Sequence, residues 1–189
     1  MDADGLTFAC ATSAEERVAR RAGLKAVCVG LGVANGIPDG RLVSFGVAGS
    51  LGDLQVGDVL DATRVVDETG ATLWEGPGLG VRGARAGVVL GGNVLVHDAA
   101  ARDQLRAASG ADAVDMESAT LARSGGLAGC IRAISDTPSR KLGGLAQAAK
   151  PTGEIDYRGL LLGFLRAPVE TVRAAAGARQ ALKALEAVA

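Results

Sequence analysis

Ser44-Phe45-Gly46-Val47-Ala48-Gly49-Ser50-Leu51 is an apolar run that breaks into small residues, and it reads as a strand, Leu42–Gly46, leaving a sheet through a tight glycine turn. Working outward, short β-branched runs of the same kind recur along the chain. Strands are expected near Leu6–Cys10, Ala26–Leu31, Val59–Val66, Ala71–Trp74, Ala86–Leu90, Ala113–Asp115 and Cys130–Ser135. Alanine-rich segments of helical period lie between and after them, near Ala14–Ala22, Ala99–Ser109, Glu117–Ser124, Tyr157–Arg166 and Val169–Ala187. The last of these opens after Pro168 with Glu170 in its first turn, as a helix start prefers. Such alternation predicts an α/β fold: a three-layer α/β/α single domain over residues 1–189 with a central mixed sheet. One connection is short for a crossover between parallel strands, Gly32–Arg41, so either a helix is missing there or the pairing is not parallel.

Composition removes several function classes. Of 189 residues, 48% are hydrophobic, which suffices for one sizeable core. Lys+Arg number 20 against 21 Asp+Glu, so no excess of positive charge points to nucleic acid or anionic lipid. No apolar stretch reaches bilayer length, and MDADGLTFAC lacks the basic start and long apolar centre of a secretory signal, which predicts a cytoplasmic protein. Cys10, Cys28 and Cys130 are scattered through apolar runs and read as core thiols. The single histidine, His97, excludes a multi-histidine metal site and reads as a surface or cap residue. No metal or cofactor is expected.

Three polar constellations fall where apolar strands end, the usual place for ligand sites in open α/β sheets. In the first, the amides of Ala48, Gly49 and Ser50 could approach an anion or a sugar oxygen. In the second, Val114-Asp115-Met116-Glu117-Ser118, a strand delivers two carboxylates just before a helix. Glu117 offers two acceptor oxygens at the separation of a vicinal diol, or serves as an N-terminal helix acid. The third, Ile131-Arg132-Ala133-Ile134-Ser135-Asp136-Thr137-Pro138, delivers Ser135 and Asp136 at a strand exit held extended by Pro138. An aspartate so placed could be a general acid if burial raises its pKa, or could close an Asx-turn.

SFGVAGSL, VDMESATLA and RAISDTP in that order resemble the purine nucleoside phosphorylase and methylthioadenosine/S-adenosylhomocysteine nucleosidase superfamily. AEERVARRAG, LVSFGVAGSL, AVDMES and the Pro168-led tail are most similar to its hopanoid-biosynthesis-associated phosphorylases, and imply release of adenine from an adenosylhopane-like nucleoside. The resemblance implies that Glu117 binds ribose hydroxyls with Met116 packed on the sugar. Asp115, Val114, Ser135 and Asn93 complete the substrate site, and Asp136 serves the purine N7. Glu15, or Glu16 one position on, orients the nucleophile. It also implies a homo-oligomer, a dimer or larger.

Departures from that pattern bear on the chemistry. Phosphorolytic relatives carry Ser or Thr where this chain has Val47, so phosphate as co-substrate would depend on Ala48, Gly49, Ser50 and a cation such as Arg20, Arg21 or Arg41. The aromatic that stacks on the base in the nucleosidases is absent from Gly92–Val96, and the chain is shortened around Gly32–Arg41. The expectations are therefore phosphorolysis or hydrolysis of a purine nucleoside with an apolar 5′ group. A methylthioadenosine/S-adenosylhomocysteine-type nucleosidase and a non-catalytic nucleoside-binding protein are the alternatives.

Overall fold

The computed structural model describes residues 3–92, 99–139 and 168–189. Asn93, His97 and the helix expected at Tyr157–Arg166 lie outside the described residues. The chain forms β1 (Leu6–Cys10), α1 (Ser13–Arg21), β2 (Ala26–Cys28), β3 (Arg41–Ser50), β4 (Val59–Val66), β5 (Thr72–Glu75), β6 (Arg85–Gly91), α2 (Ala99–Ser109), β7 (Ala113–Asp115), α3 (Ser118–Arg123), β8 (Leu127–Asp136) and α4 (Pro168–Val188). None of the described helices is long and apolar enough to cross a membrane.

The eight strands make one mixed sheet in the order β2-β1-β3-β7-β6-β4-β5, with β8 pairing β3 and β4. β8 runs parallel to β3 and antiparallel to β4, β4 parallel to β6, β6 parallel to β7, and β7 antiparallel to β3. Those five pairings close a ring, so the sheet is not the open one that the strand-exit argument assumes. One apolar cluster draws on every strand of the ring, with Ala48, Ala62, Val89, Ala113, Cys130 and Ile134. Leu121 and Ala122 of α3 join that cluster. A second cluster packs Phe8, Phe45 and Ile131 beneath Val18 and Ala19 of α1 and Ala181 and Leu185 of α4. The mixed sheet with helices on both faces matches the three-layer expectation. Cys10 and Cys130 are buried and Cys28 is half-buried.

Three strands differ from expectation by more than one residue: β8 starts at Leu127 instead of Cys130, and β3 and β2 end elsewhere. β3 does not stop at Gly46 but stays paired with β8 through Val47 and Ala48 and with β7 at Gly49 and Ser50, so the glycine-rich end is strand, not turn. β2 ends at Cys28 instead of Leu31, because Gly30 (φ 77) and Gly32 (φ 58) turn the backbone left-handed into a single 3-10 turn, Leu31–Val33. β1 pairs both β2 and β3 in parallel, so the connection crosses β1 with that one turn and no helix. Val33 is held at φ 67, a costly conformation for a β-branched residue, on the order of 1–3 kcal/mol. β8 carries a bulge: Ala48 pairs with Ile134 and Gly49 with Asp136, leaving Ser135 as the extra residue that sets where Asp136 lies. Gly177 permits α4 to press on that point, since a Cβ there would strike the Ser135 carbonyl.

Candidate functional site

Glu15 owes its position to a capping box. Thr12 caps α1: the Glu15 amide donates to Thr12 Oγ1 (3.3 Å), while Glu15 Oε2 accepts from the Thr12 amide (2.7 Å) and hydroxyl (2.9 Å). That leaves Oε1 to accept from the Val47 amide on β3 at 2.8 Å. A Cβ on Gly46 would collide with the Glu15 carboxylate and stand 2.9 Å from Arg132 Nη1, so only glycine admits both groups there. Glu15 is buried, and burial pushes its pKa up against the Val47 amide, Arg132 and Thr12, which favour the anion. Glu16 is instead half-buried and pairs with Arg20 at 2.7 Å, outside the cleft lining.

Glu117 stands at the start of α3 yet makes no side-chain cap. Its Oε1 accepts from the Gly32 amide at 3.0 Å, tying the helix start to the 3-10 turn, and its Oε2 lies 3.9 Å from Arg132 Nη2. Burial first, and then the Asp115 charge, push its pKa up to about 7, outweighing Arg132 and the Gly32 amide. Asp115 serves Arg132, with Oδ2 2.5 Å from Nε, and Asp115 Oδ1 accepts from the amides of Glu117 (3.2 Å) and Ser118 (3.0 Å). Arg132 also donates to Ser44 Oγ (2.5 Å) and Ser118 Oγ (3.2 Å). Burial opposes its charge, but Asp115 above all holds its pKa above the ordinary arginine value.

Asp136 closes β8 in an ion pair with Arg102 of α2, whose side chain is 3% exposed. Its Oδ1 accepts from Ser135 Oγ at 2.8 Å. Arg102 Nη1 donates to the Ser50 carbonyl at 2.8 Å.

One cleft open to solvent, with a cavity volume of about 180 Å³, gathers these carboxylates and Arg102. Glu15, Asp115, Glu117, Asp136 and Arg102 supply its charge. Ala11, Leu31, Val47, Val114 and Met116 supply its apolar wall, and Thr12, Ala48, Gly49 and Ser135 complete the lining. Ser50 does not line it: the side chain is buried and its hydroxyl exchanges hydrogen bonds with Gly52 of its own turn. The Val47 amide is spent on Glu15. Arg20, Arg21 and Arg41 are not among the lining residues; Arg102 is the lining cation, and Arg132 lies buried behind Asp115 and Glu117. Sequence reasoning gave Arg102 and Arg132 no role. The available signals were an arginine in the strand RAIS and one in the row of α2 that carries Leu105 and Ser109.

No protein-family model matches the sequence, and no curated protein is significantly similar to it. Solved structures do share the fold. The 5′-methylthioadenosine/S-adenosyl homocysteine nucleosidase of Helicobacter pylori superposes with a TM-score of 0.57 at 17% identity, covering 100% of this chain and 98% of that one. The futalosine hydrolase of the same organism gives 0.58 at 15% identity, covering 97% and 96%. The 5′-methylthioadenosine nucleosidase of Arabidopsis thaliana gives 0.50 at 19%, covering 97% and 95%.

Proposed function

We propose that the chain is a nucleosidase that hydrolyses the N-glycosidic bond of a purine nucleoside with an apolar 5′ substituent, adenosylhopane-like in kind, and releases adenine. The observation that carries this reading is the convergence of Glu15, Glu117 and Asp136, from α1, the start of α3 and the end of β8, on one cleft. The names of the structures sharing the fold support it: nucleosidases and a futalosine hydrolase.

The sugar turns cationic as its bond to the base lengthens, and carboxylates held in a water-poor site stabilise that charge strongly. Glu117 accepts hydrogen bonds from the 2′ and 3′ hydroxyls. Asp136, with Arg102 behind it, meets the base. Glu15 orients a water against C1′ and takes its proton, and burial brings its basicity closer to what a general base needs. Leu31, Ala11 and Met116 offer the 5′ group an apolar wall.

Water is favoured over phosphate by charge. Around the cleft, among the described residues, the carboxylates Glu15, Asp115, Glu117 and Asp136 outnumber the guanidiniums Arg102 and Arg132, and both guanidiniums are paired. A phosphate dianion would bury further negative charge beside groups already short of cations. A methylthioadenosine/S-adenosylhomocysteine-type substrate is the second reading, supported by the Helicobacter pylori nucleosidase fold.

The test follows adenine and sugar products from adenosines with short and long apolar 5′ groups, with and without phosphate. Free adenine and a reducing sugar at a phosphate-independent rate are expected, fastest with the long group. A sugar 1-phosphate refutes hydrolysis, and tight binding without adenine release refutes an enzyme.

A further inference from the structure

α1 and α4 pack together, and the groove between them, about 220 Å³, is lined by Arg17 and Arg21 of one helix and Arg179 and Lys183 of the other. Ala14, Val18 and Leu182 make its floor, and Glu186 is the one carboxylate in its lining. Four cations thus gather in one place on a chain whose formal net charge is -1, a segregation that the overall composition hides. All four are exposed, and among the described residues none of them stands within ion-pair distance of a carboxylate. Arg20, one position before Arg21, shows the contrast, since it pairs with Glu16. Arg17 and Arg21 are four residues apart, as are Arg179 and Lys183, so each helix sets two like charges side by side, which weakens it. The fold draws no benefit from that spacing, whereas an anionic surface laid over the groove would.

The same face of α4 carries apolar side chains nearer its start. Val172 precedes Arg179 by seven residues and Lys183 by eleven, whole numbers of helical turns, and Val169 lies one turn earlier. Val169 and Val172 are 59% and 57% exposed, two of the three large apolar side chains left in solvent among the described residues. One stripe of helix therefore presents valines and then cations outward.

We infer that this face is a docking surface for an anionic lipid membrane: Arg17, Arg21, Arg179 and Lys183 meet headgroup phosphates while Val169 and Val172 enter the boundary between headgroups and acyl chains. Other partners fit the face less well. A second copy of the chain, placed over the groove by a two-fold axis, would set cations against cations. A single-stranded nucleic acid would find phosphate contacts but no aromatic side chain in the lining on which to stack a base. A free phosphate would leave the valines without a role. None of these residues lines the cleft, so the surface is independent of the reaction proposed above.

The test is co-sedimentation of the full chain with vesicles of phosphatidylcholine alone and of phosphatidylcholine mixed with phosphatidylglycerol. Four cations offset by Glu186 predict roughly a hundredfold preference for the anionic vesicles, lost in about 1 M salt, where the screening length falls to ~3 Å. Arg179→Gln/Lys183→Gln should weaken that binding about thirtyfold, at the usual contribution of a cation near such a surface. Val169→Ser/Val172→Ser should weaken it about tenfold by shrinking the apolar area that leaves water. The substituted side chains are exposed, so thermal unfolding should show both variants as folded as the wild type. Arg82→Gln/Arg123→Gln removes the same charge from exposed positions outside the groove and should leave binding within about twofold. Equal partitioning onto both kinds of vesicle overturns the assignment, as does undiminished binding by Arg179→Gln/Lys183→Gln. So does a control pair that loses as much as the groove pair, or tighter binding to single-stranded RNA of equal phosphate content.

Discussion

Replacing Glu117 by Gln tests the proposed sugar contact by two independent measurements. Glu117 titrates at about 7 because burial and Asp115 disfavour its charge, yet only the ionised form gives the ribose diol two charged acceptors. With one such group, about nine-tenths of the molecules are ionised at pH 8 and one-tenth at pH 6, so wild-type kcat/KM should rise about tenfold across that interval and then level. Glu117→Gln should lower kcat/KM, flatten that profile, and lose less on a 2′-deoxynucleoside than on the riboside. Stability should move the opposite way. The folded-state pKa lies above the ordinary value of 4.5, so the proton stabilises the fold below about pH 4.5 and that contribution is lost as pH rises through 7. At pH 8 the ionised side chain therefore costs the wild type on the order of 3 kcal/mol, which glutamine escapes while still accepting from the Gly32 amide. Urea unfolding at pH 8 should show Glu117→Gln the more stable protein, with the gap closing at pH 4.5. A wild-type kcat/KM that is flat from pH 6 to 8, or a variant no more stable at pH 8 than at pH 4.5, refutes the reasoning.

Two further substitutions test the supports of the site. Gly46→Ala puts a methyl group against Glu15 and Arg132 in the ring, so it should cost about 1–3 kcal/mol and cut turnover more than tenfold by displacing Glu15; unchanged turnover contradicts the close approach. Arg132→Met leaves Asp115 buried beside Glu117 with no countercharge and should cost about 3–5 kcal/mol in chemical denaturation, most of it recovered by adding Asp115→Asn; a loss under about 1 kcal/mol argues that the guanidinium does not balance these carboxylates.

Much of this architecture is legible in short stretches of sequence, because a strand advertises itself through its own residues. β1, β4, β7 and α2 fall where periodicity places them. β3 and β8 run longer than expected, since Ala48 and Gly49 are held extended by partners that no local pattern reveals. Glu15 over Glu16 could have been decided from Thr12-Ser13-Ala14-Glu15 alone, as Thr-x-x-Glu marks a capping box. Glu117 and Asp136 stand out as carboxylates after apolar runs, and the cleft holds both. Arg102 did not, because its meaning lies in a contact with a residue far along the chain. The same is true of Ser50, whose hydroxyl turns back on Gly52. The 3-10 turn that replaces the end of β2 depends on Gly30 and Gly32, whose backbone freedom mimics an ordinary loop in sequence.

The double pairing of β8 also governs how the protein comes together. Until residues 127–136 insert between β3 and β4, both of those strands keep a bare edge, and the closure joins segments distant in the chain, an entropically slow step. The inserting strand brings Arg132, Ser135 and Asp136 with it, so a half-assembled chain lacks one wall of its cleft and the countercharge for Asp115. Ligand recognition is thereby reserved for the finished ring. A bound nucleoside would act as a bolt on its final strand, slowing the one opening that would free the edges of β3 and β4 to pair with other chains.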